Sequence, residues 1–90
     1  MNLLVEISPR ALRDLSRFEK IIAGEILEEL EILRSRPWPG PPKVKKLEGH
    51  KNLYRLRVRE FRAIFEPFGD RVVVLRVMDR KVLERMLRNL

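Results

Sequence analysis

Apolar and polar positions along the chain change period twice, and each change marks a new kind of element. Residues 2–7, NLLVEI, form a short apolar run of strand type. Ser8 and Pro9 then mark a helix start, an N-cap hydroxyl ahead of a proline at the first helical position. Ala11, Leu12, Leu15, Phe18 and Ile22 follow at helical spacing, and Ile26, Leu30 and Leu33 continue it until Pro37. One helix over 9–35 would be about 40 Å long, too long for a chain this small. The pattern therefore predicts an N-terminal helical hairpin, broken around residues 18–21, with Gly24 the only weak point nearby.

PWPGPP, residues 37–42, admits neither helix nor central strand and reads as a stiff extended connector. Trp38 within it is a candidate stacking platform for a base, set against the commoner role of packing on the domain's edge. Beyond it the period becomes two. Lys43 to Leu47 reads as a short basic strand, EGHKN (48–52) as its turn, and Leu53 to Val58 and Phe61 to Phe65 as two more strands. Pro67-Phe68-Gly69-Asp70 reads as a turn. Arg71 to Met78 is apolar on both faces, as a central strand is. Asp79 caps a last short helix with Leu83, Met86, Leu87 and Leu90 along one side. The element order is β-α-α-β-β-β-β-α.

The stretch LYRLRVREFRAIF, residues 53–65, raises a chemical question. Alternate residues of a strand share a face, so Tyr54, Leu56 and Val58 point one way and Arg55, Arg57 and Arg59 the other. If Arg59-Glu60 is a two-residue hairpin loop, Val58 opposes Phe61, Leu56 opposes Ala63 and Tyr54 opposes Phe65, a consistent register. Neither loop residue is the Gly or Asn such turns prefer, so a looser, bulged turn is the alternative. The same register sets Arg57 opposite Arg62. Like charges opposed across strands are destabilising, by less than about 1 kcal/mol, and an anionic ligand between them would supply a reason. Arg55 lies on the diagonal, and Arg76 and Arg80 share a parity that would add them to one cationic face. A solvated face, or an edge protected by charge, is the competing reading.

Charge distribution sharpens this. The 90-residue chain carries +7, and residues 43–62 alone hold +6, against −1 for residues 1–42 and +2 for 63–90. So local an excess is the footprint of an anion-binding face, most often for nucleic acid. The length fits one domain, residues 1–90, with a modest core. No apolar run is long enough to span a membrane, and the N-terminus lacks the basic region of a signal peptide, so the expected location is the cytoplasm. There is no cysteine and one histidine, which leaves no disulfide framework or thiol nucleophile and predicts no metal site and no cofactor. The absence of glutamine and the 37% of charged residues lean towards a thermophilic source.

KLEG, then LYRLRV, then FRAIF, then a strand ending VMDR before a short helix, resemble the RelE/ParE superfamily of bacterial and archaeal toxins, as ISPRALRDL resembles that family's first helix. The resemblance implies an α+β fold, two N-terminal helices packed on a four-stranded, mainly antiparallel sheet with a short C-terminal helix. It implies a toxin paired with an antitoxin. RelE-like members cut mRNA in the ribosomal A site without metal, using the RNA's 2′-hydroxyl, whereas ParE-like members poison DNA gyrase. Position by position, the basic residues after the tyrosine fall on Arg55 and Arg57, the arginine after the aromatic on Arg62, the arginine ending the last strand on Arg80, and the lysine before Leu-x-Gly on Lys46. This chain departs from the RelE-type pattern in having arginines rather than lysines at Arg55 and Arg57, and Met86 where a tyrosine is expected.

Arg57, Arg62 and Arg80 are then the expected catalytic clamp on the scissile phosphate, with Lys43, Lys45, Lys46, Arg55 and Arg85 binding flanking RNA. Arginine suits charge stabilisation, being always charged and able to grip phosphate with two donors, but not proton transfer. A desolvated Lys45 or Lys46, or His50, is the candidate for that task, although a lone loop histidine is more commonly just solvated. The expected partners are a cognate antitoxin, the ribosome and mRNA, with no membrane. A ParE-like gyrase inhibitor, a catalytically degenerate antitoxin-binding homologue and a simple RNA-binding module are the alternatives.

Overall fold

Ser8 starts the first helix in two ways at once: its Oγ accepts from the Ala11 N–H at 3.1 Å and donates to Leu75 O at 3.1 Å. The helix is thereby capped and pinned to a distant strand by one hydroxyl. The computed structural model describes residues 2–89. The elements run β1 (Leu4–Ile7), α1 (Pro9–Ser16), α2 (Lys20–Leu30), a 3-10 turn (Glu31–Arg34), β2 (Val44–Lys46), β3 (Tyr54–Val58), β4 (Phe61–Phe68), β5 (Arg71–Asp79) and α3 (Arg80–Arg88). Leu90, expected on the last helix, lies outside the described residues.

The α+β class holds, but two details of the expected architecture do not. The sheet has five strands rather than four, in the order β1-β5-β4-β3-β2. The extra member is the N-terminal run, whose Leu4 to Ile7 pairs in parallel with Arg71 to Val74 of β5, while every other pairing is antiparallel. The helices are also not a hairpin packed along its own length. α1 lies mainly on β5, and α2 is fastened to the β2–β3 side through the Glu29–Lys43 and Glu25–Arg59 ion pairs. The break falls at residues 17–19, where Arg17 closes α1 and Glu19 turns extended. There Phe18 packs on Phe61 of β4, ring centroids 4.9 Å apart. Gly24 takes no part in it and sits inside α2.

The main core lies between these helices and the sheet. Phe65, Ile26, Leu30, Leu33, Leu56 and Val74 are fully buried there, each contributing roughly 1.5–3 kcal/mol. Trp38 closes its edge: Nε1–H donates to Leu33 O at 3.1 Å, and the ring stands edge-on to Tyr54 and Phe65. It packs, as the commoner role requires, and is not an open platform for a base. A smaller cluster, Leu47, Ile64, Met78 and Leu83, seats α3 on the other face. Among the described residues no helix is long and apolar enough to cross a membrane.

β4 runs further than its sequence suggests. The turn is only Gly69-Asp70, with Gly69 at φ +61°, and Pro67 belongs to the strand opposite Val72. β3 reaches β4 only as far as Phe65, so the N–H that Pro67 lacks has no ladder partner to lose. Its carbonyl accepts from Asn52 Nδ2 at 2.7 Å.

Candidate nucleic-acid interface

The β3–β4 hairpin has the register its alternation predicts. Val58 pairs with Phe61, Leu56 with Ala63, Tyr54 with Phe65, and Arg57 with Arg62. The loop is the tight two-residue one, and the ladder's irregularity lies instead between Ile64 and Phe65. Arg59 takes the left-handed backbone the turn demands, φ +52°, which is uncommon for a residue with a side chain. Its guanidinium is held on Glu25 of α2 by two contacts, Nε at 2.7 Å and Nη2 at 3.2 Å, a charge-assisted tie that helps to fix the hairpin's tip.

Arg62 is only 7% exposed. Its Nη1 donates to Arg59 O at 3.0 Å and Phe61 O at 2.9 Å, so the hairpin's own carbonyls hold the guanidinium under the loop. Burial, then the charges of Arg55, Arg57 and Arg80, pull its pKa below the ordinary guanidinium value, with Glu60 offsetting them only in part. Arg55 is lowered too, by burial first and by Arg57 second. Four arginines therefore act on one another at a single place. Among the described residues no carboxylate forms an ion pair with Arg55, Arg57 or Arg62, and Arg80 has only a 3.6 Å contact to Glu60. A cationic cluster of this kind focuses field on an approaching anion. Its donors suit a phosphate, gripped through fixed forks.

The remaining candidates divide. Lys45 stands opposite Arg55 in register, and Lys45, Lys46 and Arg55 line one groove of about 610 Å³. Lys43 is engaged elsewhere, its Nζ 3.1 Å from Glu29 on α2, though a shallower depression of about 350 Å³ links it to Arg57. Arg85, two residues past the buried Leu83, is exposed on the side of α3 turned from the sheet. Arg76 does not join the cluster. Its guanidinium is bound to Asp14 of α1, Nε–Oδ2 2.8 Å and Nη2–Oδ1 3.3 Å, so its parity with Arg80 misleads. His50, a candidate for proton transfer in sequence although a lone loop histidine is more commonly solvated, is half-buried and lines the same groove as Arg55, together with Leu87 of α3. The Leu83–Leu87 spacing was the available signal for the latter. Among the described residues no three His, Asp or Glu side chains gather as a metal-binding group.

Comparison with known proteins gives this face a context. The ParE toxin family of type II toxin–antitoxin systems (parDE) matches residues 5–83. A candidate toxin of Methanocaldococcus jannaschii, RelE1, is 30% identical over 83 residues, which is 90% of this chain and 92% of that one. The archaeal RelE–RelB complex from Pyrococcus horikoshii OT3 is similar in structure, with TM-score 0.73, 28% identity, and 89% and 97% of the two chains covered. A doubly substituted E. coli toxin RelE in the free state shares the fold at TM-score 0.76 and 18% identity, over 97% and 93% of the chains. With a family match over most of its length and a relative at 30% identity, this chain belongs to the RelE/ParE superfamily of toxins from type II toxin–antitoxin systems.

Proposed function

We propose that this toxin acts as a single domain that cleaves mRNA in the ribosomal A site, using the RNA's own 2′-hydroxyl as nucleophile and no metal. The observation that carries the reading is the Arg55–Arg57–Arg62–Arg80 cluster, which has one buried member and, among the described residues, a single carboxylate ion pair, Arg80–Glu60 at 3.6 Å. In the reaction the 2′-oxygen forms a bond to the adjacent phosphorus as its proton leaves. The bond to the 5′-oxygen breaks as that oxygen gains a proton, and a 2′,3′-cyclic phosphate remains. Negative charge grows on the non-bridging oxygens between these steps, and Arg57, Arg62 and Arg80 stabilise it. Arg55, Lys45 and Lys46 bind RNA beside the scissile phosphate, with Lys43 and Arg85 further out. Losing one such donor typically costs about 10²–10³ in rate. Arginine stays protonated at working pH and moves no proton, so both transfers fall to other groups of the complex.

The toxin's partner is an antitoxin, as in the RelE–RelB complex it resembles, and its place of action is the cytoplasm. The second reading, a ParE-like inhibitor of DNA gyrase, is favoured by the family that matches residues 5–83. A toeprint on purified ribosomes carrying a defined mRNA separates them, with free mRNA and an Arg57→Ala, Arg62→Ala double variant as controls. New A-site ends that need the ribosome and vanish in the variant support cleavage. Intact mRNA on active ribosomes sinks it. Gyrase-dependent DNA breaks then support the second reading, and the absence of both leaves an antitoxin-binding homologue without activity.

A further inference from the structure

We infer that Glu25 of α2, on the opposite side of the sheet from the arginine cluster, is a positioning residue for the cleavage step. It acts through Arg59 on Arg62 and Arg80. The inference rests on the RNA-cleaving reading above.

The two-residue turn Arg59-Glu60 is where these residues meet. Each of its carbonyls holds an arginine of the clamp. Arg59 O accepts from Arg62 Nη1 at 3.0 Å, and Glu60 O accepts from the Arg80 backbone N–H at 2.8 Å. That N–H opens α3, where no intrahelical carbonyl is in reach of it, so the turn also sets where α3 begins. The Glu60 carboxylate adds its 3.6 Å contact to the Arg80 guanidinium. Arg62 and Arg80 belong to β4 and α3, and the turn they share places one against the other. A displacement of the turn by about 1 Å would carry both donors off a bound phosphate, an error that can cost about a hundredfold in rate.

The turn's own residues do not favour its conformation. Arg59 stands at φ +52°, a backbone that disfavours any residue with a side chain and that glycine or asparagine takes more readily. What arginine brings here is reach. Its fork grips Glu25 at two points, Nε–Oε2 2.7 Å and Nη2–Oε1 3.2 Å, which fixes orientation as well as distance. The Arg59 side chain is 67% exposed, and an exposed ion pair contributes no more than such a backbone costs. Stability alone would therefore place glycine at this position. Placement of the turn favours the arginine, and local rules are broken in this way where a site demands it. The anchor itself is firm, because α2 is seated by the fully buried Ile26 and Leu30.

The test uses the full chain on ribosomes carrying a defined mRNA. Single-turnover cleavage is followed against toxin concentration for the wild type, Glu25→Ala, Arg59→Gly and the double variant. Both single variants are expected to cut on the order of tenfold more slowly, less than the about 10²–10³ for removing a donor outright. The half-saturating concentration should stay unchanged, because the lost interaction serves the transition state rather than binding. The double variant should lose no more than either single one, since both break the same contact. Arg59→Gly relieves the backbone, so its melting temperature should hold or rise while its cleavage falls. The Arg62 guanidinium N–H resonances of the free protein should move in both single variants. A melting temperature that falls with cleavage in Arg59→Gly makes the tie structural and overturns the role. If both variants cut at the wild-type rate, or cut slowly with the Arg62 resonances unmoved, Glu25 does not act through Arg62, and the RNA reading stands. If the wild type gives no A-site ends, both fall together.

Discussion

Arg57 and Arg62 oppose each other with no carboxylate between them, and only one of the two is buried. The exposed member gives the cleaner experiment. Arg57→Gln keeps much of the stem and a donor but removes the repulsion, which is worth up to about 1 kcal/mol. The melting temperature is expected to rise, by up to about 4–8 °C if the full amount is recovered, while ribosome-dependent cleavage falls about a hundredfold. Calorimetric melts and toeprints read the two changes. A solvated arginine kept only to protect the sheet would lower neither cleavage nor RNA affinity. At this scale strand parity found the Arg57–Arg62 pairing because it is a local property of one hairpin. It misplaced Arg76 because the partner that claims the side chain, Asp14, is 62 residues away. The surroundings of His50 are illegible in sequence for a similar reason: which groove a loop faces depends on α3, which the loop's own residues do not specify.

Between elements, one carboxylate joins α1 to β5. Asp14 Oδ2 accepts from Arg76 Nε at 2.8 Å and from the Val77 N–H at 2.9 Å. Burial works to raise its pKa, but the Arg76 and Val77 hydrogen bonds and the charges of Arg76 and Arg10 outweigh it, so the carboxyl lies below its usual value. A group depressed on folding contributes stability that is fully present above its unfolded pKa, about 3.9 for Asp, and lost as pH falls through the folded value. Asp14→Asn is therefore expected to cost about 1–3 kcal/mol at pH 7. The gap to wild type should close progressively below about pH 4. Urea melts between pH 2.5 and 7 check this, and a gap that ignores pH would show that another group carries the acid limb. Element boundaries were legible where a cap is local, as at Ser8-Pro9 and Asp79. They were not where a neighbour decides, as at Pro67, which stays in β4 only because β3 has already ended.

Across the whole molecule the +6 of residues 43–62 becomes a direction. Arg59 and Lys43 are spent on Glu25 and Glu29 on the helical side, while Arg55, Arg57, Arg62 and Arg80 influence one another without close ion pairs beyond the Arg80–Glu60 contact. The contiguity of that segment made the excess readable in sequence, but the ion pairs that divide it join residues far apart in the chain. The division has a measurable consequence. Binding of single-stranded nucleic acid weakens with salt at a logarithmic slope of about −0.7 per phosphate neutralised. Two like-charged pairs, one for each of two phosphates, give an expected slope of about −1.4, read by fluorescence anisotropy of labelled RNA between 50 and 200 mM salt. Because the site is local, the slope should stop growing once the RNA extends past the outlying Lys43 and Arg85, a few nucleotides from the cluster. A protein that is merely basic would collect further phosphates as the strand lengthens, and its slope would steepen with it. Saturation would mean that the arginines bind a defined step of the RNA. Continued steepening would mean that they serve a general attraction, and the cluster would lose its claim to be a cleavage site.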